Sequence, residues 1–381
     1  MIIDRRNILK YILTGGLFLS SNQLLNTKVV GNISKSNSFE EIVDTISFKK
    51  NENINLIDST NNETLNKVSQ KKLLPKGLKK GSKIGIVAPA SHANIWEFGS
   101  FIKIMNKLGL EVVIGETIKN YNIKYRYFSA PDEVRANELM EFFKRNDIDA
   151  IITARGGYGV LRILHLLDFK IICNHPKILI GFSDITALLN AIYHKCNLIT
   201  FHGPAAISDF NNSTLEFFIK MLFETTESQE LIYQSNELIT LNEGISRGEL
   251  VGGNLTMLAS TIGTEYEINT ENKILFFEDI SEQPYQIDRK LTQLFLSGKF
   301  NNLKGVIVGK FKNYNQKYYF YPNLSYTVKE VIENRLKELN VPILLNAPFG
   351  HTQEKWIFPI GINAEMNTEK KYIKILEKTI I

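Results

Sequence analysis

From Lys83 onward the chain alternates short apolar runs with helix-length segments, and this alternation narrows the possible folds more than any other feature. "KIGIVAP" has the form of a buried strand, a helical stretch follows near Ile95–Leu108, and "EVVIG" is the next strand. "PDEVRANELMEFFKRN" opens with proline and acids and closes on basic residues, the charge order that a helix dipole favours. "IDAIITA", "KILIGF" and "NLITF" are further strands, separated by the helical segments "VLRILHLLDF" and "DITALLNAIYHK". Strands alternating with helices at this spacing predict an α/β protein whose first part is a parallel sheet covered by helices on both faces. Ligands of such sheets bind off the carboxyl ends of the strands.

After Asp209 the alternation loosens. A helix is expected near Thr214–Glu224, and "QELIYQ" is strand-like. The paired glycines of "SRGELVGGNLTMLASTIGT" mark a turn or bulge before another helix. "KILFFED", the helix "YQIDRKLTQLFLSG", "GVIVGKF", a helix around Val328–Leu339 and "VPILLNAPFGHTQEKWIFPIG" then form a second, smaller α/β domain. The boundaries expected are an N-terminal domain over 78–225 and a C-terminal domain over 226–381.

The first 77 residues differ in texture. "MIIDRRNILKYILTGGLFLSS" sets Arg5 and Arg6 before a short apolar run, so residues 1–22 read as a twin-arginine export signal. That run falls short of the roughly 20 apolar residues a membrane span needs, and an amphipathic helix or uncleaved anchor is the rival reading. Residues 23–77, rich in Asn, Ser, Lys, Thr and Glu, read as a polar linker of low order, with one short helix possible at "FEEIVDTI". The 45 basic and 40 acidic residues, a net charge of +5, form no basic stripe, which argues against nucleic acid as a partner. The only cysteines, Cys173 and Cys196, lack metal-ligand or C-x-x-C spacing and are expected to be two buried small hydrophobes.

Three strand ends deliver reactive side chains in the order serine, acid, histidine. "ILIGFSD" presents Ser183 at a strand-to-helix turn, where the helix N-terminus suits an oxyanion. It lacks the second glycine of the G-x-S-x-G elbow, and serine is also a favoured helix cap, so nucleophile and cap both stay open. "ILFFED" carries Glu278 and Asp279 out of a buried strand. Neighbouring strand residues point to opposite faces, so period alone does not choose between them. Of six histidines, His165 and His194 fall on helices and His175 in a loop, whereas His92, His202 and His351 follow strand-like runs. His351 stands out for the tight "NAPFG" approach. "ARGGYG" follows a strand with glycines that expose backbone N–H donors, as an acyl-transfer enzyme needs; it has no phosphate-loop spacing.

With these stretches in view, the chain resembles the LD-carboxypeptidase family of serine peptidases, which includes the microcin C self-immunity hydrolases. The resemblance runs from about Leu78 to Met366 through "GSKIGIVAPAS", "ARGGYG", "GFSDIT", "HGP", "GELVGGNLTML", "FFEDISEQPYQIDRKLTQL", "GVIVGKF" and "PFGH". It implies Ser183 as nucleophile, Glu278 and His351 as its partners, and an oxyanion hole built from the N–H of Asp184 and that of Gly156 or Gly157. It also implies an N-terminal nucleophile domain and a C-terminal domain with the site between them, a homodimer, and neither cofactor nor metal. The implied reaction is hydrolysis of the bond releasing terminal D-alanine from a murein tetrapeptide. The alternatives are an amide hydrolase acting on a peptide-nucleotide antibiotic and a muropeptide-binding protein with a dead triad. Arg155 and Arg289 are candidates for the substrate carboxylate, Arg289 being equally open to a structural ion pair. The leader places the protein in the periplasm or cell envelope; many relatives work in the cytoplasm.

Overall fold

A computed structural model describes residues 71–120, 124, 127–224, 231–312 and 325–381. The expected export signal, the linker up to residue 70 and its possible short helix lie outside the described residues, as does the expected boundary at 225/226. The chain from Lys67 to Ile381 forms one compact unit.

The strands in chain order are β1 (Lys83–Val87), β2 (Glu111–Ile114), β3 (Ala150–Thr153), β4 (Ile178–Gly181), β5 (Thr200–His202), β6 (Ile232–Gln234), β7 (Ile239–Asn242), β8 (Ile245–Asn254), β9 (Ile274–Glu278), β10 (Gly305–Gly309), β11 (Ile343–Ala347), β12 (Phe358–Ile360), β13 (Asn363–Asn367) and β14 (Tyr372–Ile375). The first sheet runs β12-β5-β4-β3-β1-β2. Its five N-terminal strands are parallel, as the alternation predicts. Every residue of β3 and β4 is buried, which is why these strands read as unbroken apolar runs. The sixth strand, β12, arrives from the far end of the chain and pairs antiparallel with β5.

The second sheet runs β6-β14-β13-β8-β9-β10-β11-β7. Strands β8 to β11 are parallel, and antiparallel strands flank them. Expected to be the smaller, this part carries the larger sheet, because short antiparallel strands extend its parallel core on both sides. The paired glycines fall inside β8 rather than in a turn before the helix Leu255–Ser260. Gly252 (φ 147°) would press a side chain onto the Phe276 carbonyl, and Gly253 (φ 137°) onto Thr186. Their lack of a side chain lets β8 lie against both β9 and the helix Thr186–Cys196. That seam is hydrogen-bonded: Asn190 Nδ2 donates to the Gly252 carbonyl at 2.9 Å, and the Asn254 N–H to Thr186 Oγ1 at 2.9 Å.

Two expectations are corrected. Residues 71–77 are not a loose linker: the Leu73 N–H donates to the Asn197 carbonyl at 2.9 Å, and the Gly77 N–H to the Ile381 carbonyl at 2.9 Å. Lys72 pairs with Glu249 at 3.1 Å and Glu377 at 2.9 Å. Leu73 and Leu74, masked by the polar composition around them, pack on the core. Nor are the two cysteines separate buried hydrophobes. Cys173 and Cys196 form a disulfide, with Cα atoms 5.1 Å apart, joining the helix Phe169–Asn174 to the helix that follows Ser183. Their 23-residue separation carried no spacing signal; packing of the two helices against each other brings them together. Among the described residues no helix is long and apolar enough to cross a membrane.

Candidate active site

Strand β4 ends at Gly181, and the chain then turns sharply into the short 3-10 turn Ser183–Ile185 that leads the helix Thr186–Cys196. Ser183 takes φ 65°, a left-handed conformation that costs a residue with a side chain roughly 1–2 kcal/mol. The residue capping this turn is Phe182, and no side-chain capping bond is made there. The serine is therefore not held as a helix cap.

Glu278, the last residue of β9, is fully buried. Its Oε2 meets His351 Nδ1 at 2.7 Å and also accepts the His351 backbone N–H at 3.3 Å. Gly350, between β11 and the histidine, has φ 73°, and a side chain there would collide with the Glu278 carboxyl. The tight approach in "NAPFG" thus exists to bring the imidazole onto the glutamate. The Phe182 ring packs edge-on against the His351 ring with centroids 4.9 Å apart, so the residue before the serine touches the histidine.

Of the adjacent acids, Glu278 is the one turned to the histidine. Asp279 braces the start of the preceding helix, Leu255–Ser260, instead: its Oδ2 accepts the Thr256 N–H at 3.0 Å and hydroxyl at 2.6 Å, and its Oδ1 accepts Asn254 Nδ2 at 2.8 Å. Burial pushes its carboxyl above the usual range, and the neighbouring Glu278 charge adds to that. His202 at the end of β5 is no second base. It is fully buried among Phe182, Phe276 and Phe349, and neither ring nitrogen finds a hydrogen-bond partner among the described residues. Burial, and secondarily the nearby His351, lower its pKa to about 3. His92 Nε2 meets Asn94 Oδ1 at 3.1 Å.

The "ARGGYG" turn lies directly on the serine. A side chain at Gly156 would stand 2.7 Å from Ser183 Cβ and 3.0 Å from its Oγ. Ser91, which follows β1, holds this turn: its N–H donates to the Gly156 carbonyl at 3.3 Å, its Oγ accepts the Tyr158 N–H at 3.1 Å, and a side chain at Gly157 (φ 109°) would strike that oxygen. Asp184 Oδ2 accepts the Val160 N–H at 2.9 Å just beyond the turn. Burial raises the Asp184 carboxyl, against the opposing pull of the Val160 N–H and the Arg135 charge.

Of the two candidate arginines, Arg155 adjoins Gly156, and its Nε is buried without a partner among the described residues. Arg289 is exposed, its guanidinium 5.4 Å from the Tyr285 ring centroid, while the ion pairs of that helix are Lys290–Glu282 and Asp288–Arg335. Sequence reasoning assigned no role to Ser91, Arg135, Asn254 or Lys355. Arg135 is 1 % exposed and donates to the carbonyls of Ala130, Pro89 and Gly159 and to Asp132. In "PDEVRANEL" it looks like any helix-surface charge, so no local signal could have found it. Lys355 is buried, its Nζ on the Thr352 carbonyl and 5.9 Å from the Phe182 ring centroid, and burial lowers its pKa.

A serine strained at a strand-to-helix turn, a histidine and a buried glutamate on later strand ends, and a glycine turn against the serine make up the architecture of a serine hydrolase site. Family models identify which one: the LD-carboxypeptidase N-terminal domain matches residues 84–203, and the LD-carboxypeptidase C-terminal domain matches residues 247–366. The chain belongs to the LD-carboxypeptidase family and is a serine-type carboxypeptidase by that membership. It is 37% identical over 300 residues to a protein of Bacillus subtilis described as a probable murein peptide carboxypeptidase, covering 78% of this chain and 92% of that one. Among solved structures, a muramoyltetrapeptide carboxypeptidase from Oxalobacter formigenes superposes with TM-score 0.67 at 30% identity, covering 77% of this chain and 98% of that one. The microcin C7 self-immunity protein MccF, in complex with glutamyl sulfamoyl guanosine, superposes with TM-score 0.74 at 26% identity over 81% of this chain and all of the other.

Proposed function

We propose that this protein is a serine carboxypeptidase that hydrolyses the L,D-amide bond releasing the terminal D-alanine of murein tetrapeptides. The observation that carries the reading is the Glu278–His351 bond, set beside a serine held at φ 65°. Neutral His351 takes the Ser183 proton as the hydroxyl oxygen attacks the scissile carbonyl, then returns it to the departing D-alanine amine. Glu278 at Nδ1 fixes the tautomer and offsets the imidazolium charge. The Asp184 N–H and one from Gly156 or Gly157 face the tetrahedral oxyanion, and water then cleaves the acyl-enzyme by the same proton path. Arg155, whose Nε next to the turn has no partner among the described residues, is the better placed of the two arginines for the substrate carboxylate. A homodimer is carried over from the family resemblance.

Ser183→Ala, Glu278→Ala and His351→Ala are each expected to lower D-alanine release from purified muramoyl tetrapeptide by at least about 10⁴-fold, while leaving the circular dichroism spectrum unchanged. Free D-alanine measured by mass is the readout, and full activity of the serine variant defeats the mechanism. A second reading keeps the triad and takes an aminoacyl-sulfamoyl nucleoside as substrate; the MccF superposition favours it, whereas identity favours the murein peptide. Turnover of that compound alone would select it. Binding of tetrapeptide without turnover would leave a muropeptide-binding protein.

For location we propose the periplasm or cell envelope. The twin-arginine leader supports this, and so does the Cys173–Cys196 disulfide, because such bonds persist in oxidising compartments.

A further inference from the structure

We propose that the Asp184 carboxylate is a positioning group for the oxyanion hole, bracing the residue after the nucleophile against the "ARGGYG" turn so that the two backbone donors keep their separation. This deepens the reading above and rests on it for Ser183 as nucleophile and for the two backbone donors.

The two donors belong to different segments, the turn after β4 and the turn after β3. A gap between separate segments is not fixed by local backbone geometry, so something must span it. Asp184 does: its backbone stands next to Ser183, it is 3 % exposed, and its Oδ2 accepts the Val160 N–H at 2.9 Å. Val160 begins the helical turn that closes "ARGGYG", and the residue before it, Gly159, has φ 130°. The far side of the turn is held as firmly. Arg135 Nη1 donates to the Gly159 carbonyl at 3.0 Å, and Ser91 grips Gly156 and Tyr158. With those anchors fixed, the Asp184–Val160 bond is the direct side-chain link between the serine's own turn and the glycine turn.

The test uses the full chain and a fluorophosphonate, which phosphonylates a serine nucleophile through an oxyanion-stabilised step and needs no knowledge of the natural substrate. Asp184→Ala is expected to slow labelling of Ser183 by about 10²–10³, the size of losing one oxyanion donor, and Asp184→Asn, which retains an acceptor for Val160, by less than about tenfold. Wherever tetrapeptide turnover is measurable, the alanine variant should lose kcat by a similar factor with KM within about threefold, a split that general loosening of the fold would not produce. Wild-type labelling rates in a folded Asp184→Ala protein overturn the proposal. If the alanine variant does not fold, the asparagine variant decides: near-wild-type labelling supports the brace, and a loss beyond about a hundredfold in a folded protein overturns it. A wild type that labels but releases no D-alanine defeats the murein reading and leaves this one standing. A wild type that does not label defeats both.

Discussion

Ser183 shows the cost of presenting a nucleophile. Left-handed backbone at a residue with a Cβ is retained only where the surroundings impose it, and here β4, Phe182 against His351, and Gly156 against the serine side chain impose it. Glycine has no such penalty but loses more freedom on folding. Ser183→Gly is therefore expected to be inactive yet more stable than the equally inactive Ser183→Ala by about 0.5–1 kcal/mol in urea unfolding. Equal stabilities would mean that the turn stores no strain. Much of the site's chemistry was legible at this scale: Ser183, Glu278 and His351 each end an apolar run. The choice between Glu278 and Asp279 was not, because adjacent strand residues differ only in the face they occupy, and a face has meaning only once a partner is packed against it.

At the scale of elements, β5 and β12 close the first sheet around His202, a histidine sealed among phenylalanines. Its unfolded pKa is near 6.5 and its folded pKa is about 3, so between those values the unfolded chain binds a proton that the folded chain refuses. Stability from this group is fully present above pH 6.5 and falls as pH drops toward 3, by at most about 1.4 kcal/mol per unit. Buried carboxyls such as Asp184 and Asp279, raised by burial, act in the opposite direction, so the test must be a difference. Wild type is expected to lose more urea stability than His202→Leu between pH 7 and pH 5. Parallel losses in the two proteins would show that His202 does not drive the acid response. The sequence indicated that His202 follows a strand but not that this strand end is closed by phenylalanines from three other segments.

The whole molecule joins two sheets at a seam, with the serine supplied by one and the glutamate by the other. Glycines of β8 make the close approach possible, and the disulfide locks the helix that carries the serine turn. If the leader directs export, Arg5→Lys with Arg6→Lys is expected to retain the protein in the cytoplasm with Cys173 and Cys196 reactive to iodoacetamide. The wild type, recovered from the envelope, should resist alkylation until it is reduced. Unchanged fractionation of the variant would count against the leader, and reactive thiols in the exported protein against the disulfide.

By itself the sequence determined what depends on neighbours along the chain: the strand and helix alternation, the parallel character of the first sheet, and the strand ends that carry Ser183, Glu278 and His351. Only the tertiary structure decided what depends on residues far apart in sequence. The return of β12 to the first sheet, the Cys173–Cys196 bond, the buried Arg135 and the Asp184–Val160 brace are of that kind. Local pattern records which side of an element faces the core. It does not record which distant segment arrives there, because that contact is selected by packing of the whole chain.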